Sequence, residues 1–349
     1  MIALWYGLLA GMLAIYIALD GRNFGAGVLH WIVAKERLER RQIIAAIGPL
    51  WSWHEVWLVG AGGVMIMAFP SFMASAFSGY YLALFLVLWC ILLRGISIEV
   101  GGHFDDPLWQ GFWDFVFFVS NVLLAVLFGA AFGNLVRGAP LAKDGTFHLP
   151  FFTDFSTRGA VGLLDGYTLS VAAFALLVLT AHGATYLTMR TRGPVYDRSR
   201  ALAKKLWLAA IPGFVVVSAQ TFFVRPELLA QMPSRPLAWV TLSLCVGSAT
   251  ALGLGLRSNR EKLAMAGSTF LIFGLILTGA AALFPVLLFS TLDPNDALNA
   301  AACAAPEHSL RIAAAWWFPS LALAFTYLWT VQRSYSGKVD LAADDQGLY

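Results

Sequence analysis

The segment LWSWHEVWLVGAGGVMIMAFPSFMASAFSGYYLALFLVLWCILL, residues 50–93, contains two apolar runs that are separated only by Phe69-Pro70-Ser71. A helix of about 20 apolar residues is long enough to cross the roughly 30 Å hydrocarbon core of a bilayer. Pro70 has no backbone N–H to donate, so we expect a helix boundary at this point. The segment therefore predicts two consecutive membrane-spanning helices that are joined by a tight turn.

The composition of the whole chain indicates the same environment. Of its 349 residues, 59% are hydrophobic and only 12% are charged, whereas soluble domains have about 25% charged residues. A soluble enzyme, a disordered protein and a nucleic-acid-binding protein are thereby excluded. Cys90, Cys245 and Cys303 are far apart and form no C-x-x-C pair, which argues against a disulfide framework and an iron–sulfur site.

The predicted fold class is all-α, a polytopic membrane protein with nine transmembrane helices. The apolar runs are continuous rather than alternating, as expected for helices and not for an outer-membrane barrel. We expect a single integral-membrane domain over residues 1–335, with a first half at about 1–136 and a second half at about 161–331, and a polar cytoplasmic tail at 336–349. The nine predicted spans are residues 2–19, 50–70, 72–93, 112–136, 161–189, 206–224, 237–256, 265–290 and 312–331.

The distribution of basic residues predicts the orientation of the chain. Of the 23 Lys and Arg residues, seventeen fall on one side of the nine spans and six on the other. Cytoplasmic loops carry the excess of Lys and Arg, so we expect the N-terminus outside and the C-terminal tail in the cytoplasm. The first run has no preceding basic residue and no following cleavage site, and so does not read as a signal peptide. The loop at about 29–47 is expected to form an amphipathic helix on the membrane surface.

Ionisable residues within a membrane span are costly and usually face a protein interior, a cavity or a partner. The first span ends in Asp20-Gly21-Arg22-Asn23-Phe24-Gly25-Ala26-Gly27. Its glycines either break the helix or let another backbone come close. Asp20 and Arg22 are either the lining of a proton or substrate path or an ion pair at a helix end.

The second span opens with Trp51-Ser52-Trp53-His54-Glu55, in which Trp51, Ser52 and Glu55 share one helix face. A carboxyl group beside a histidine suits proton transfer, because both groups can exchange protons near neutral pH. The alternative is a structural pair in which Arg94, near the end of the third span, neutralises Glu55.

Other polar residues have less specific interpretations. Arg94 is a natural partner for Asp20, Glu55 or Glu99, and Asp114 is expected to cap the N-terminus of the fourth span. His182 could ligate a haem, but no second His or Met lies at a matching depth, so we expect no metal site and no haem in this chain. Asn121 and Gln220 are expected to form interhelical hydrogen bonds.

Eight stretches, in this order and spacing from about residue 15 to residue 335, together resemble subunit II of cytochrome bd-type quinol oxidases. They are Asp20-Gly21 through Gly27, Gly48-Pro49-x-Trp51-x-x-x-Glu55-Val56-Trp57-Leu58, Gly62-Gly63, Ala68-Phe69-Pro70, Phe77-Ser78-Gly79-Tyr80-Tyr81, Arg94-Gly95 with Glu99, Phe132-Gly133-Asn134-Leu135, and His182-Gly183-Ala184-Thr185-Tyr186-Leu187 followed by Arg190-Thr191.

The resemblance implies two four-helix bundles plus one peripheral helix, in the bacterial cytoplasmic membrane. It implies a heterodimer with a subunit I that carries the three haems, of types b and d, and oxidises quinol on the outer side. Subunit II of that family carries no haem, supports the complex, and in some members binds a structural quinone or contributes to a proton path from the cytoplasm. Lipid and small single-span accessory subunits are further partners that the resemblance implies, whereas nucleic acid is not.

The sequence departs from the family pattern at its polar positions. Where the family typically has Trp-Asp-Gly-Asn, this chain has Ser52 in place of the Asp and His54 in place of the Asn. Where the family has Asp-Gly-Phe-Asp, this chain has Arg22 and Asn23 in place of the Phe and the second Asp. The proton route is therefore either rebuilt around His54 and Glu55 or runs wholly through subunit I.

Three hypotheses follow. The first is a non-haem subunit of an electrogenic, oxygen-reducing quinol oxidase that is not catalytic alone. Its candidate proton-path residues are Glu55, His54, Asp20 and Glu99, with Arg94 as their electrostatic partner. The second is a purely structural or assembly subunit of the same complex. The third is a secondary transporter, a class that often uses broken helices at mid-membrane.

Overall fold

The computed structural model describes residues 1–157 and 159–339, and it is mostly helical. An antiparallel pair of short strands, β1 (Val286–Leu288) and β2 (Leu298–Asn299), follows the eleventh helix. Arg158 and residues 340–349, most of the predicted tail, lie outside the described residues. The helices are α1 (Ile2–Val33), α2 (Arg37–Ile47), α3 (Trp51–Ala68), α4 (Pro70–Gly79), α5 (Tyr81–Val100), α6 (Pro107–Arg137), α7 (Gly166–Arg190), α8 (Gly193–Val224), α9 (Pro226–Gln231), α10 (Pro236–Arg257), α11 (Glu261–Leu283), α12 (Ala300–Cys303) and α13 (Glu307–Ser334).

The all-α, multi-pass membrane architecture that the sequence predicts is confirmed. Within the described residues, eight helices are long and apolar enough to cross a membrane, namely α1, α5, α6, α7, α8, α10, α11 and α13. The second predicted span corresponds to α3, which has 18 residues and is not among the eight. It is less apolar because its first turns carry His54 and Glu55. The count of nine crossings, the two bundles and the division at about 136 and 161 stay predictions.

The first predicted span is too short. Instead of ending at Leu19, α1 continues through the glycine-rich segment to Val33. The glycines serve close packing, because a Cβ atom at Gly25 would collide with the carbonyl oxygen of Leu179, and one at Gly183 would collide with the backbone of Gly25. Of the two interpretations of these glycines, the close approach of another backbone is therefore the one that the structure has.

The third predicted span divides into α4 and α5. The boundary expected at Pro70 is confirmed, because α3 ends at Ala68 and α4 begins at Pro70. A second interruption follows at Tyr80, where the ring of Phe147 occupies the space that a side chain at Gly79 would need. A ring from the loop after α6 therefore packs where the sequence predicted one uninterrupted helix.

Other predicted boundaries are also wrong, among them the start of the sixth span, since α8 begins at Gly193 and not at residue 206. The eighth span was expected to reach residue 290, but α11 ends at Leu283, because the residue before Pro285 is disfavoured in the helical conformation. The chain then enters β1. Of the amphipathic helix that was expected at about 29–47, the structure has α2, which buries Ile43, Ala46 and Ile47 on one face. Residues 29–33 belong to α1, and the location of α2 on the membrane surface stays a prediction.

Helix α1 lies at the centre of the molecule, where it packs against α3, α6, α7 and α11. From Asp20 to His30, every residue of α1 is buried. Since a buried polar side chain is costly without a partner, the polar residues of this stretch must find partners on the neighbouring helices. The C-terminal half of α1, from Asp20 to His30, is therefore where a functional site is expected.

Candidate functional site

One arginine, Arg94, connects helices α1, α3 and α5 beside the buried stretch of α1. Arg94 of α5 donates from Nη1 to Asp20 Oδ2 of α1 at 2.8 Å and from Nη2 to Glu55 Oε1 of α3 at 2.7 Å. The side chains of Arg94 and Asp20 are fully buried, whereas that of Glu55 is 24% exposed. The three residues therefore form an ion network with one partly open end, at Glu55.

Aromatic side chains hold the guanidinium in place. It lies over the ring of Phe24 at 5.0 Å and over that of Trp51 at 5.9 Å. Trp51 fits because position 95 is glycine, where a Cβ atom would lie 2.7 Å from the indole ring. The buried hydroxyl of Tyr16 is within electrostatic reach of the same network and has no hydrogen-bond partner among the described residues. Cation–π contacts and burial thus strengthen and rigidify the ion pairs.

His54 is attached to the network through α1. The Asn23 amide nitrogen lies 2.9 Å from Asp20 Oδ1 and 2.8 Å from His54 Nδ1. Arg22 Nη2 lies 3.1 Å from the other ring nitrogen, Nε2, and the Arg22 guanidinium stacks on Tyr186 at 4.8 Å. Both nitrogens of a fully buried imidazole are therefore in contact with nitrogen donors.

The chemistry of arginine limits the protonation of His54. A guanidinium can only donate hydrogen bonds, so Nε2 must accept from Arg22, and a neutral His54 carries its hydrogen on Nδ1. That hydrogen faces Asp20 Oδ1, 3.7 Å away. Asn23 can accept it only if its amide turns and gives up the hydrogen bond to Asp20. The hydrogen on Nδ1 of His54 and the amide of Asn23 therefore cannot both make their hydrogen bonds to Asp20 and to each other in one arrangement. A second proton on His54 would have to go on Nε2, and Arg22 would have to move away from that nitrogen.

The formal charges of the network balance. Asp20 and Glu55, when ionised, carry two negative charges, and Arg94 and Arg22 carry two positive charges. With His54 neutral the sum is zero, which is the condition under which buried charges are least costly. One added proton leaves an uncompensated positive charge, so a proton is bound here only in passing or with a compensating charge nearby.

The structure brings together four of the five residues singled out from the sequence, Asp20, His54, Glu55 and Arg94. Glu99 is outside this network: it is exposed, and its carboxylate accepts a hydrogen bond from Trp51 Nε1 at 3.3 Å. Arg94 forms ion pairs with both Asp20 and Glu55, whereas the sequence did not decide which of Asp20, Glu55 and Glu99 is its partner.

The sequence did not reveal that three of the positions at which the chain departs from the family pattern on α1 and α3 lie together. Arg22, Asn23 and His54 contact one another directly, at 3.1 and 2.8 Å from the two ring nitrogens of the histidine. The signal was present as three separate substitutions, 31 and 32 positions apart in sequence, but nothing in their spacing linked them. The other two departures, Ser52 and Trp53 in place of the family's Asp and Gly, are exposed and do not belong to the network.

A second polar cluster lies nearer the C-terminal end of α1. His30 Nε2 lies 3.5 Å from Asp114 Oδ1 of α6, and Arg40 of α2 donates to Asp114 Oδ2 at 2.7 Å. Asp114 is not the helix cap that the sequence predicted, because α6 begins seven residues earlier, at Pro107. Asp106 caps it by accepting a hydrogen bond from the backbone N–H of Trp109 at 2.8 Å.

His182 has both ring nitrogens engaged. Nδ1 lies 2.8 Å from Ser268 Oγ of α11, and Nε2 lies 3.0 Å from the carbonyl oxygen of Ala18 of α1. Neither nitrogen is therefore free to ligate a haem, and the residue joins three helices. In residues 1–157 and 159–339, no group of three His, Cys, Asp or Glu side chains is arranged to hold a metal ion.

A third buried ion pair, which the sequence did not indicate, lies at the opposite end of the helices. Arg137 Nε lies 2.9 Å from Asp165 Oδ2, and both side chains are buried. Arg137 also donates to the carbonyl oxygens of Thr157 and Gly159. Asp165 caps α7 by accepting from the backbone N–H of Thr168 at 2.9 Å. This pair ties the loop between α6 and α7 to the helix ends.

Comparisons with known proteins agree on one family. The profile of the family described as "Cytochrome bd terminal oxidase subunit II" matches residues 1–334. The "Probable cytochrome oxidase subunit 2" of Haemophilus influenzae is 29% identical over 97% of this chain and 94% of its own length. The "Cytochrome bd-I ubiquinol oxidase subunit 2" of Escherichia coli K12 is 29% identical, over 85% of this chain and 84% of its own length.

The "Cytochrome bd ubiquinol oxidase subunit 2" of Bacillus subtilis is 30% identical over 88% of each protein. A solved chain from "The structure of bd oxidase from Geobacillus thermodenitrificans" superposes with a TM-score of 0.72 at 16% identity. The superposition covers 96% of this chain and 98% of that chain, which shows a shared fold over nearly the whole length.

Proposed function

This chain belongs to the cytochrome bd terminal oxidase subunit II family, and on that premise we propose that it is the haem-free subunit of a respiratory quinol:oxygen oxidoreductase. Its partner is a haem-bearing subunit I, with which it forms a heterodimer in the bacterial cytoplasmic membrane. The chain is not catalytic alone. It supports subunit I, and its buried ion network is part of the route by which protons from the cytoplasm reach the oxygen-reducing haem.

The observation that carries the proton role is the open end of the Arg94 network. A proton carrier needs contact with a proton source and a connection to the protein interior. Glu55 provides the connection to the interior and an outlet toward a partner chain, because Arg94 links it to the fully buried Asp20 and its own side chain is partly exposed on the surface of this chain. His54 contributes through Asn23 and Asp20, as the fixed neutral neighbour whose Nδ1 hydrogen faces the carboxylate.

The face of α3 beside Glu55 is the surface where we expect subunit I. Ser52, Val56, Val59 and Ile66 are exposed and recur every three to seven residues along one side of the helix. Small and β-branched side chains allow close packing of membrane helices. With subunit I on this face, Glu55 lies at the edge of the subunit interface, where a proton can pass from one chain to the other.

The direction of transfer follows from the distribution of basic residues. The excess of Lys and Arg on one side supports an external N-terminus and a cytoplasmic tail. Quinol is oxidised near the outer side, and the protons consumed in forming water enter from the cytoplasm, so turnover separates charge without a dedicated pump. A structural quinone, bound lipid and single-span accessory subunits stay predictions of the family resemblance.

The haems b and d belong to subunit I in this proposal. The contacts of His182 support this assignment, because Ser268 and the Ala18 carbonyl occupy both of its ring nitrogens. A haem ligand would need one of them free. His182 is therefore not available as a haem ligand.

The test is a Glu55→Gln variant in the complete, haem-loaded complex, reconstituted into vesicles. The amide keeps an oxygen for Arg94 but cannot carry a proton, so we expect turnover and proton uptake to fall about tenfold or more at unchanged haem content. Glu99→Gln is the matched control, because it makes the same chemical change on a carboxylate outside the network. Normal turnover and proton uptake in Glu55→Gln would remove the network from the mechanism.

A second candidate function is assembly alone, which is favoured by the way Arg94 ties α1, α3 and α5 together. It predicts that substitutions of the network lower haem content and yield, but leave turnover per haem unchanged. The secondary transporter loses its main support, because α1 continues unbroken through its glycines to Val33.

A further inference from the structure

The cluster of His30, Asp114 and Arg40 has no role in the ion network described above. His30 is fully buried, whereas the Asp114 side chain is 21% exposed and the Arg40 side chain is 35% exposed. The cluster therefore connects the surface at the cytoplasmic end of α6 with the interior of the helix bundle. Arg40 is the charged group on α2 that faces both His30 and Asp114.

Buried polar atoms without partners line the contact between α1 and α6. In the described part of the chain, neither ring nitrogen of His30 makes a hydrogen bond, and the same holds for the side-chain oxygens of Asn121 and Asn23. All three side chains are at most 1% exposed. The Asn121 amide nitrogen donates within its own helix, to the carbonyl oxygen of Phe117 at 2.7 Å. It does not form the interhelical hydrogen bond that the sequence predicted.

Helix geometry places these atoms in one file. Asn23, Gly27 and His30 lie on the same face of α1, and about 10 Å separates the first from the last along the axis. The amide of Asn121 fills the space beside Gly27, where a Cβ atom would collide with it. On α6, which runs in the opposite direction here, Asp114 and Phe117 contact His30, whereas Asn121 lies farther from the surface, beside Gly27. The order from the surface is therefore Asp114, His30, Asn121 and Asn23.

Such a file has the chemistry of a proton inlet. Buried polar atoms are normally satisfied by protein groups or by ordered water, and water molecules between polar groups carry protons. Asp114 can take a proton from cytoplasmic water. His30 can accept it on one ring nitrogen and release a proton from the other, because neither nitrogen is held by a hydrogen bond.

We propose that Asp114 and His30 form the cytoplasmic inlet of a proton path of water and side chains that runs between α1 and α6 and joins the ion network where Asn23 contacts Asp20. The inference rests on the proposed function, in which this network passes protons to subunit I. Each proton that binds Asp114 leaves toward Asp20 and Glu55, so the inlet residues return to their starting protonation after every transfer.

The experiment uses the complete complex in vesicles with three inlet variants, Asp114→Asn, His30→Gln and Asn121→Leu. We expect each to lower proton uptake and turnover about tenfold at unchanged haem content, and to move the fall of the pH profile to lower pH, where protons are more abundant. Asp114→Glu should restore both rates. Asp105→Asn, at an exposed carboxylate that pairs with Arg37, is the control and should change neither rate.

The outcomes separate the inlet from the proposed function. If Glu55→Gln is impaired while all three inlet variants show normal uptake and pH profile, the inlet is overturned and the proposed function stands. If Glu55→Gln is normal as well, both fail. If Asp114→Glu is as poor as Asp114→Asn and haem is lost, the Asp114–Arg40 pair is structural and the inlet is overturned. Asn121→Leu adds an independent test, because it blocks the file without touching that pair.

Discussion

Two buried arginines pair with aspartates in this molecule, Arg94 with Asp20 and Arg137 with Asp165, and they are arranged differently. The Arg137 side chain is 6% exposed, and its remaining donors bind backbone carbonyl oxygens of the loop after α6. Asp165 in turn caps α7. At the other end of the bundle, Arg94 binds a second carboxylate, that of Glu55, which reaches the surface.

The comparison separates a structural ion pair from one that can change its protonation. Around the Arg137–Asp165 pair the other polar contacts end on backbone groups and on the hydroxyl of Thr168, none of which titrates near neutral pH, so the pair holds the loop in place. Around Arg94 the contacts end on Glu55 and, through Asp20 and Asn23, on His54. The same arginine–aspartate chemistry thus becomes a candidate proton site when titratable neighbours and a partly exposed end are added.

The largest expected effect is the loss of stability on replacing either Arg94 or Arg137. Breaking a buried ion pair by deleting one partner costs about 3–5 kcal/mol, because it leaves an uncompensated buried charge. We therefore expect Arg94→Gln and Arg137→Gln each to lower the yield and thermal stability of the complex. In the surviving complex, Arg137→Gln should keep normal turnover per haem, whereas Arg94→Gln should lose turnover as well.

A paired variant sharpens this difference. Adding Asp20→Asn to Arg94→Gln removes the uncompensated carboxylate, so part of the stability should return while turnover stays low. The same pairing at the other site, Asp165→Asn with Arg137→Gln, should recover less stability, because the hydrogen bonds from Arg137 to the carbonyl oxygens of Thr157 and Gly159 stay lost. Equal loss of turnover per haem in Arg94→Gln and Arg137→Gln would contradict the division between the two sites.

A smaller effect is expected from Arg22→Met, which leaves both ion pairs in place. Without the guanidinium, Nε2 of His54 is free to carry a hydrogen, and Nδ1 can then accept from Asn23. The ¹⁵N NMR signals of His54, assigned with a His54→Asn variant, should change from the Nδ1-protonated to the Nε2-protonated tautomer. We expect the pH profile of turnover to shift with it.

Arg311→Gln is the control for loss of a positive charge, because Arg311 forms an exposed pair with Glu307 on α13. It should leave the His54 signals and the pH profile unchanged. An unaltered tautomer in Arg22→Met would show that Arg22 does not set the protonation of His54.

The smallest effect concerns the surface pair of Glu39 on α2 with Arg198, whose closest atoms are 2.8 Å apart. Hydrogen bonds from Arg198 lower the pKa of Glu39 below its ordinary value of 4.5. A lowered carboxyl pKa stabilises the fold above the ordinary value, and this contribution is lost as the pH falls through the lowered one. Melting temperatures measured from pH 6 to pH 3 should therefore differ between wild type and Glu39→Gln at the upper end and converge at the lower end.

This difference should be well below the effect of Arg137→Gln, because the Arg198 side chain is 37% exposed, and ion pairs that are partly open to solvent contribute less than fully buried ones. It should also shrink in high salt. A gap between the two melting curves that persists at pH 3 would indicate that Glu39→Gln acts through packing rather than charge.

The pattern of apolar runs predicted most of the long apolar helices, but it did not predict that α1 continues past Leu19 to Val33. Composition and run length were sufficient for membrane helices, because the length of an apolar run is set by the bilayer. The glycines of α1 have two opposite meanings in isolation, a break or a close contact. Only the presence of Leu179 and Gly183 on α7 decides between them, since a contact partner 150 positions away leaves no trace in the local sequence.

The sequence predicted four residues of the candidate site, but it did not predict which of them contact one another. Asp20, His54, Glu55 and Arg94 stand out because charged and titratable residues are rare in membrane spans. The attachment of Arg22 and Asn23 to His54 could not be predicted, because it depends on how α1 and α3 are rotated against each other. Asp114 was taken for a cap because the apolar run begins near it, whereas the helix begins at Pro107.

The sequence by itself determined the solvent, the class of helices and the family, because hydrophobic runs, basic loops and ordered motifs are local properties of the chain. The tertiary structure alone decided which carboxylates Arg94 binds, which nitrogen of His54 is available and which polar atoms line up between α1 and α6. These depend on distances of a few ångströms between helices that are far apart in sequence. Charge pairing and proton transfer act over such distances, and helix rotation sets them.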